Sequence, residues 1–126
     1  MKVSFFWIFS QDEKYPDCCT DIISEDGVDI LACLLNDDGG QGYKNSIEWI
    51  DYGISKINKV IGNELKDFSW DRDSWGVNLR DDMAVIYSLL DDEYFVTMKI
   101  NDFYDVLLRW RDFLNEDGEN SVVVQK

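Results

Sequence analysis

The stretch YFVTMKINDFYDVLLRWRDFL, residues 94–114, carries the clearest structural signal in this chain. Its first part is rich in aromatic and β-branched residues, which favours a strand over 94–100. Its second part repeats apolar residues at intervals of three and four, a period that predicts an amphipathic helix. The apolar positions of that helix are Phe103, Val106, Leu107, Trp110 and Phe113. Asp102 is the expected N-cap, and a strand leading straight into a helix places that helix against a sheet.

A second helix is predicted between a break at 37–42 and Gly62, which stands where a C-terminal cap belongs. Its apolar face is a stripe of isoleucines: Ile47, Ile50, Ile54, Ile57 and Ile61. Asn45 followed by Glu48 resembles a capping box. Gly53 lies inside the helix, where it costs about 1 kcal/mol relative to alanine, so we expect it to permit close packing.

The rest of the chain predicts a sheet. Residues 2–10 are apolar on both faces and predict a central strand, whereas 11–27 are polar and acidic and predict a loop with at most a short element. Residues 28–35 have helical spacing with Asp26 as a candidate N-cap, although their length also fits a strand. Residues 68–100 predict an antiparallel meander with acidic turns. We therefore expect a single α+β domain over 1–126, with two or three helices on one face of a mostly antiparallel sheet.

Composition restricts the function. The 126 residues contain 26 Asp and Glu, 12 Lys and Arg and no histidine, which gives a formal net charge of −14. Without histidine, catalytic triads and zinc hydrolase sites become improbable. The negative charge argues against direct nucleic-acid binding, which depends on Lys and Arg neutralising phosphates. The class that remains is an acidic binding protein.

The three cysteines indicate a compartment. Cys18 and Cys19 are neighbours, a bridge between them is strained, and three thiols cannot all pair within one chain. Free thiols indicate a reducing environment. The apolar start ends at Ser10 without a cleavage signal, and no apolar run approaches the roughly 20 residues of a membrane helix. We predict a cytoplasmic protein with no membrane association.

Two segments partly match the calcium-loop pattern, 37–48 and 71–82, but each lacks oxygen ligands. Gly39 stands at one ligand position of the first segment, and Trp75 stands at one of the second. Turn chemistry explains both better, so we predict no metal site and no cofactor. The acidic pairs at 37–38, 81–82 and 91–92 could serve as the paired carboxylates of an enzyme, but no catalytic motif accompanies them. We predict a protein that is not an enzyme and has no catalytic residues.

The acidic excess is concentrated in two stretches. Residues 10–38 hold nine acids against one lysine, and residues 67–93 hold eight acids against two arginines. Solubility and turn formation are one explanation of this acidic excess. A basic partner explains the size of the acidic excess better, because binding would relieve the repulsion between the carboxylates.

Trp70 and Trp75 flank the acidic turn 71–74, where each ring is either an interface anchor or part of the core. The predicted partner-binding residues are Trp70, Asp71, Asp73, Trp75, Asp81, Asp82, Asp91, Asp92 and Glu93.

The strand-to-helix unit over 95–114, together with size and charge, resembles the ending of many small bacterial immunity proteins. These are the cognate antitoxins of contact-dependent and other polymorphic toxin systems. The resemblance implies an α+β domain that neutralises a basic toxin, a nuclease above all, by occluding its active site or nucleic-acid groove. It assigns no contact residues and no oligomeric state. The alternative is an acidic interaction module or a nucleic-acid-mimicking inhibitor of a host protein.

Overall fold

The computed structural model describes residues 1–40 and 42–116, and the backbone of residues 123–125. The elements in chain order are β1 Val3–Ser10, β2 Glu13–Thr20, α1 Ile30–Leu35, α2 Tyr43–Ile61, β3 Asp67–Asp71, β4 Trp75–Arg80, β5 Met83–Ser88, β6 Phe95–Lys99, α3 Ile100–Asn115 and β7 Val123–Gln125. The predicted α+β class is confirmed. None of the helices in the described ranges is both long and apolar enough to cross a membrane.

The strands form two sheets rather than the single sheet predicted. The antiparallel meander is confirmed, with order β3-β4-β5-β6. The second sheet has the order β2-β1-β7, with β1 antiparallel to β2 and parallel to β7. The predicted central position of β1 is therefore confirmed, and Trp7 and Ile8 at its middle are buried.

Strand β2 corrects the prediction of a loop over 11–27. It pairs with the whole of β1, and the hairpin turn consists of Gln11 and Asp12, both at positive φ (53° and 64°). Such two-residue turns usually contain Asn or Gly, so this one leaves little trace in the sequence. Pro16 also obscures the strand, but β2 is at the sheet edge, where a residue without an N–H is tolerated.

The N-terminal caps differ from those predicted. Helix α1 is capped by Asp29, not Asp26, and the Asp29 carboxylate accepts from Ala32 N at 3.1 Å and from Thr20 N and Oγ1 at 2.6 Å each. One carboxylate thus joins α1 to the end of β2. Asp29 acquires this role only because Thr20 lies beside it.

The two long helices begin earlier than their patterns indicate. Helix α2 has Gly42 at its N-cap, so Asn45 lies inside the first turn, and the predicted cap at Gly62 is confirmed. Helix α3 has Lys99 at its N-cap, which places Asp102 in the first turn rather than at the cap. An acidic residue there still favours the positive end of the helix dipole.

The core lies between the helices and both sheets. The central isoleucines of α2 are buried, whereas Ile61 is 39% exposed and Val60 is buried in its place. The inward residues of β4 and β5 complete this core: Val77, Leu79, Ala84 and Ile86. Gly53 permits the predicted close approach, because an added Cβ would fall within 2.5 Å of the Trp70 ring.

Candidate protein-binding surface

Four loops meet at one end of the molecule, and we call this region the acidic end. It comprises residues 24–27, 37–40, 71–74 and 89–94. Together these loops contain nine carboxylates and a single basic residue, Arg72. Loops from both acidic stretches of the sequence therefore contribute to one surface. Each junction between the loops is made by specific hydrogen bonds.

The first junction is made by the carboxylate of Asp37. Its Oδ2 accepts backbone N–H bonds from Asp73 at 3.1 Å, Ser74 at 2.7 Å and Trp75 at 3.1 Å. Successive backbone N–H groups in a turn form a concave site for an anion, and here the anion is a side chain of the same chain. Asp37 is thus a structural residue that holds loop 71–74 against loop 37–40.

Arg72 reinforces the same junction through backbone carbonyls. Its Nε and Nη2 donate to the carbonyl oxygens of Asp37 and Asp38 at 3.3 and 3.1 Å. Its guanidinium carbon lies 5.3 Å from the centre of a Trp49 ring. The ion pairs found among described residues lie on α2 and α3, away from the carboxylates of the acidic end.

The second junction links loop 24–27 to loop 89–94. The Tyr94 hydroxyl donates to both carboxylate oxygens of Asp26 at 2.9 and 3.0 Å, and the Ser24 hydroxyl donates to the same carboxylate. These hydrogen bonds, that from Ser24 first, lower the pKa of Asp26. Loop 89–94 in turn contacts loop 71–74, because Leu89 N donates to Ser74 O at 3.0 Å.

The predicted contact residues do not all share this surface. Asp71 and Asp73 lie at the acidic end with Asp91, Asp92 and Glu93, and all five are exposed. Asp81 and Asp82 form the turn between β4 and β5 and therefore lie at the opposite end of the meander. Because a strand of six residues spans about 20 Å, the structure separates this pair from the other five carboxylates by about that distance.

The two predicted anchors are inside the molecule to different degrees. Trp70 is only 4% exposed, and its ring stacks on Trp49 with centroids 3.9 Å apart. Of the two roles considered for this ring, interface anchor or core residue, the structure shows the core residue. Trp75 is half-buried, with its ring centre 6.3 Å from that of Tyr94.

An exposed apolar group at the acidic end is absent from the predicted contact residues. Leu90 is 94% exposed, and Leu89 and Phe95 on either side of the acidic turn are 38% and 50% exposed. The sequence pattern predicts a strand through both leucines, but strand β5 ends earlier, at Ser88. The available signal was two leucines followed directly by three acidic residues.

The thiols and carboxylates do not cluster as metal ligands. No group of three or more Cys, Asp or Glu side chains in the described ranges could hold a metal ion. All three cysteines are free: Cys18 is buried, Cys33 is half-buried and Cys19 is exposed. Burial, followed by the charge of Asp17, raises the pKa of Cys18 well above the usual range for a thiol.

Comparison with known proteins identifies no similar protein. No protein-family model matches the chain, and no curated protein or solved structure is significantly similar to it. The acidic end, with its exposed leucine, is therefore the feature from which a function can be inferred.

Proposed function

We propose that this protein is an immunity protein that binds a cognate basic toxin through the acidic end and neutralises it. A nuclease is the toxin class that fits best, because its active site lies in a cationic groove shaped for a phosphate backbone. The protein acts by occlusion and not as an enzyme. Its three free thiols suit a reducing compartment such as the cytoplasm.

The supporting observation is the exposure of Leu90. Its side chain is 94% exposed at an end of the molecule that carries nine carboxylates and one guanidinium. An apolar centre with a polar rim is the usual composition of a protein interface. The carboxylates would steer a basic partner toward this end, and contact would relieve their mutual repulsion. Leu90 thus replaces Trp70 as the proposed anchor.

The proposal predicts that a basic toxin is encoded beside the gene for this protein, and that toxin is the partner used in the test. Production of both should restore growth of cells that the toxin alone arrests. The association rate should fall steeply as salt rises, because steering between exposed charges is screened beyond about 8 Å at physiological ionic strength. Leu90→Ala should raise Kd about tenfold or more, since a fully buried leucine contributes about 1.5–3 kcal/mol and each 1.4 kcal/mol is tenfold in Kd.

Two double variants with the same charge change separate the acidic end from bulk charge. Asp91→Asn with Asp92→Asn alters the acidic end, and Asp81→Asn with Asp82→Asn alters the opposite end. We expect the first to slow association about threefold or more and the second to leave it nearly unchanged. Equal effects of the two, or no protection against the toxin, would contradict the proposal. Capture of a host nucleic-acid-binding protein instead would favour the alternative of a nucleic-acid mimic.

A further inference from the structure

A cleft opens between β2, the first turn of α2 and the C-terminal part of α3. Its volume is about 510 Å³, within the range of about 300–1,000 Å³ that is typical of ligand sites. Asp38 belongs both to this cleft and to the acidic end, so the two surfaces are continuous.

The rim of the cleft is acidic. Glu13, Asp17 and Asp38 contribute carboxylates. Asp17 Oδ1 accepts from Cys18 N at 2.7 Å and Asn36 Nδ2 at 2.8 Å, and Asp38 Oδ1 accepts from Gly40 N at 2.8 Å. These bonds hold one oxygen of each aspartate in place. Because a carboxylate has two accepting oxygens, the other can face a ligand cation.

One lysine also lines the cleft. The Lys14 ammonium lies 4.9 Å from the centre of a Trp7 ring, a distance typical of a cation–π contact. Among the described residues the lining therefore carries three carboxylates and one ammonium, which favours a ligand group of positive charge.

Two buried polar atoms in the cleft lining have no partner within the described part of the chain. They are the Oγ of Ser46, a residue 3% exposed, and the Nε1 of Trp110, a residue 1% exposed. A buried donor without an acceptor is costly to the folded state. Both residues line the cleft, so a ligand seated there lies beside the Trp110 ring and the Ser46 side chain.

We propose that this cleft binds a short peptide segment of the partner through an arginine side chain; this inference depends on the proposed function. The guanidinium bonds the rim carboxylates, and the neighbouring peptide segment packs beside Trp110, whose indole N–H then reports on binding. Arginine suits the site better than lysine, because its planar fork reaches two carboxylates and stacks on aromatic rings such as Tyr15 and Tyr43.

The test is a titration of the isolated protein with capped Gly-Arg-Gly, followed by the cross-peak of the assigned Trp110 indole N–H in ¹H–¹⁵N spectra. We expect a saturable shift with a millimolar Kd. The matched peptides are capped Gly-Cit-Gly, in which neutral citrulline preserves the shape of arginine, and capped Gly-Lys-Gly. Citrulline should bind at least fivefold more weakly than arginine, with lysine between them.

The variant Glu13→Gln with Asp38→Asn should weaken binding of the arginine peptide at least threefold. The matched variant Asp81→Asn with Asp82→Asn should not change it. The inference is overturned if Trp110 shows no saturable shift at about 20 mM peptide, well above a millimolar Kd, if citrulline binds as well as arginine, or if the two variants behave alike.

Toxin binding separates this inference from the proposed function. If Glu13→Gln with Asp38→Asn binds toxin like the unaltered protein while Asp91→Asn with Asp92→Asn does not, the proposed function stands and the cleft inference fails. If the arginine peptide binds but no toxin is neutralised, the cleft inference stands as a basic-peptide site and the proposed function fails.

Discussion

Gly53→Ala tests whether the contact between α2 and β3 is as tight as the structure places it. In an exposed helix interior this change stabilises by about 1 kcal/mol, because alanine is the better helix former. Here the new Cβ would lie within 2.5 Å of Cζ2, Cη2 and Cε2 of Trp70, whereas carbon atoms prefer about 3.5–4.0 Å. Helix propensity and steric overlap therefore predict opposite signs.

The overlap should prevail, because the Trp70 ring has no room to retreat. Trp49 stacks on it at 3.9 Å, and Trp49 is itself held by a 2.8 Å hydrogen bond from Nε1 to the carbonyl oxygen of Asp71. Overpacking in a core costs about 1–3 kcal/mol and occasionally more, and overlap with three ring atoms belongs at the upper end. After the propensity gain is subtracted, Gly53→Ala should destabilise the protein by about 2 kcal/mol.

The assay is urea unfolding at 25 °C followed by far-ultraviolet circular dichroism, which reports mainly on the backbone of the helices and strands. The midpoint should fall at an unchanged slope. Trp70→Phe shortens the ring, so Gly53→Ala made in that background should cost at least about 1 kcal/mol less. A Gly53→Ala protein as stable as the unaltered one, or an equal cost in both backgrounds, would refute the packing argument.

The remaining predictions concern single side chains at and near the acidic end. Asp37→Ala removes the acceptor of three N–H groups, two of which water can reach; it should destabilise the protein by about 1–3 kcal/mol in urea unfolding, and a loss under about 0.5 kcal/mol would contradict its structural role. The pKa of Asp26 is lowered in the folded state, so the stability it contributes is complete above its ordinary value near 3.8 and disappears as pH falls through the lower folded value. Tyr94→Phe should therefore reduce stability at pH 7 and converge with the unaltered protein at strongly acidic pH, whereas a difference independent of pH would exclude this linkage. Under native conditions iodoacetamide should modify the exposed Cys19 first and Cys18 last, because Cys18 is buried with a raised pKa; peptide mass spectrometry measures the order, and equal rates would show that β2 opens readily.

Local pattern alone was sufficient for the long helices and the meander. The isoleucine spacing of α2, the apolar period of α3 and the acidic turns between short strands are all signals within a few residues of one another. Because an antiparallel meander reverses direction at every turn, its topology also implies that turns 72–74 and 89–94 share one end and that 81–82 lies at the other. The separation of Asp81 and Asp82 from the other predicted contacts therefore follows from strand order alone.

Other features depend on partners distant in sequence. Strand β2 contains Pro16 and follows an atypical turn, and only its pairing with β1 makes it a strand. Asp37 is one of many loop aspartates until the N–H groups 36 to 38 residues later surround it. The burial of Trp70 depends on Gly53 across the helix–sheet contact. The physical reason is the same throughout. Periodicity and propensity act between neighbours in sequence. Burial, hydrogen bonds between residues distant in sequence and the grouping of charged loops depend on packing between elements. The acidic composition therefore predicts a basic partner, and the packing of four loops brings their carboxylates to the end of the molecule where Leu90 is exposed.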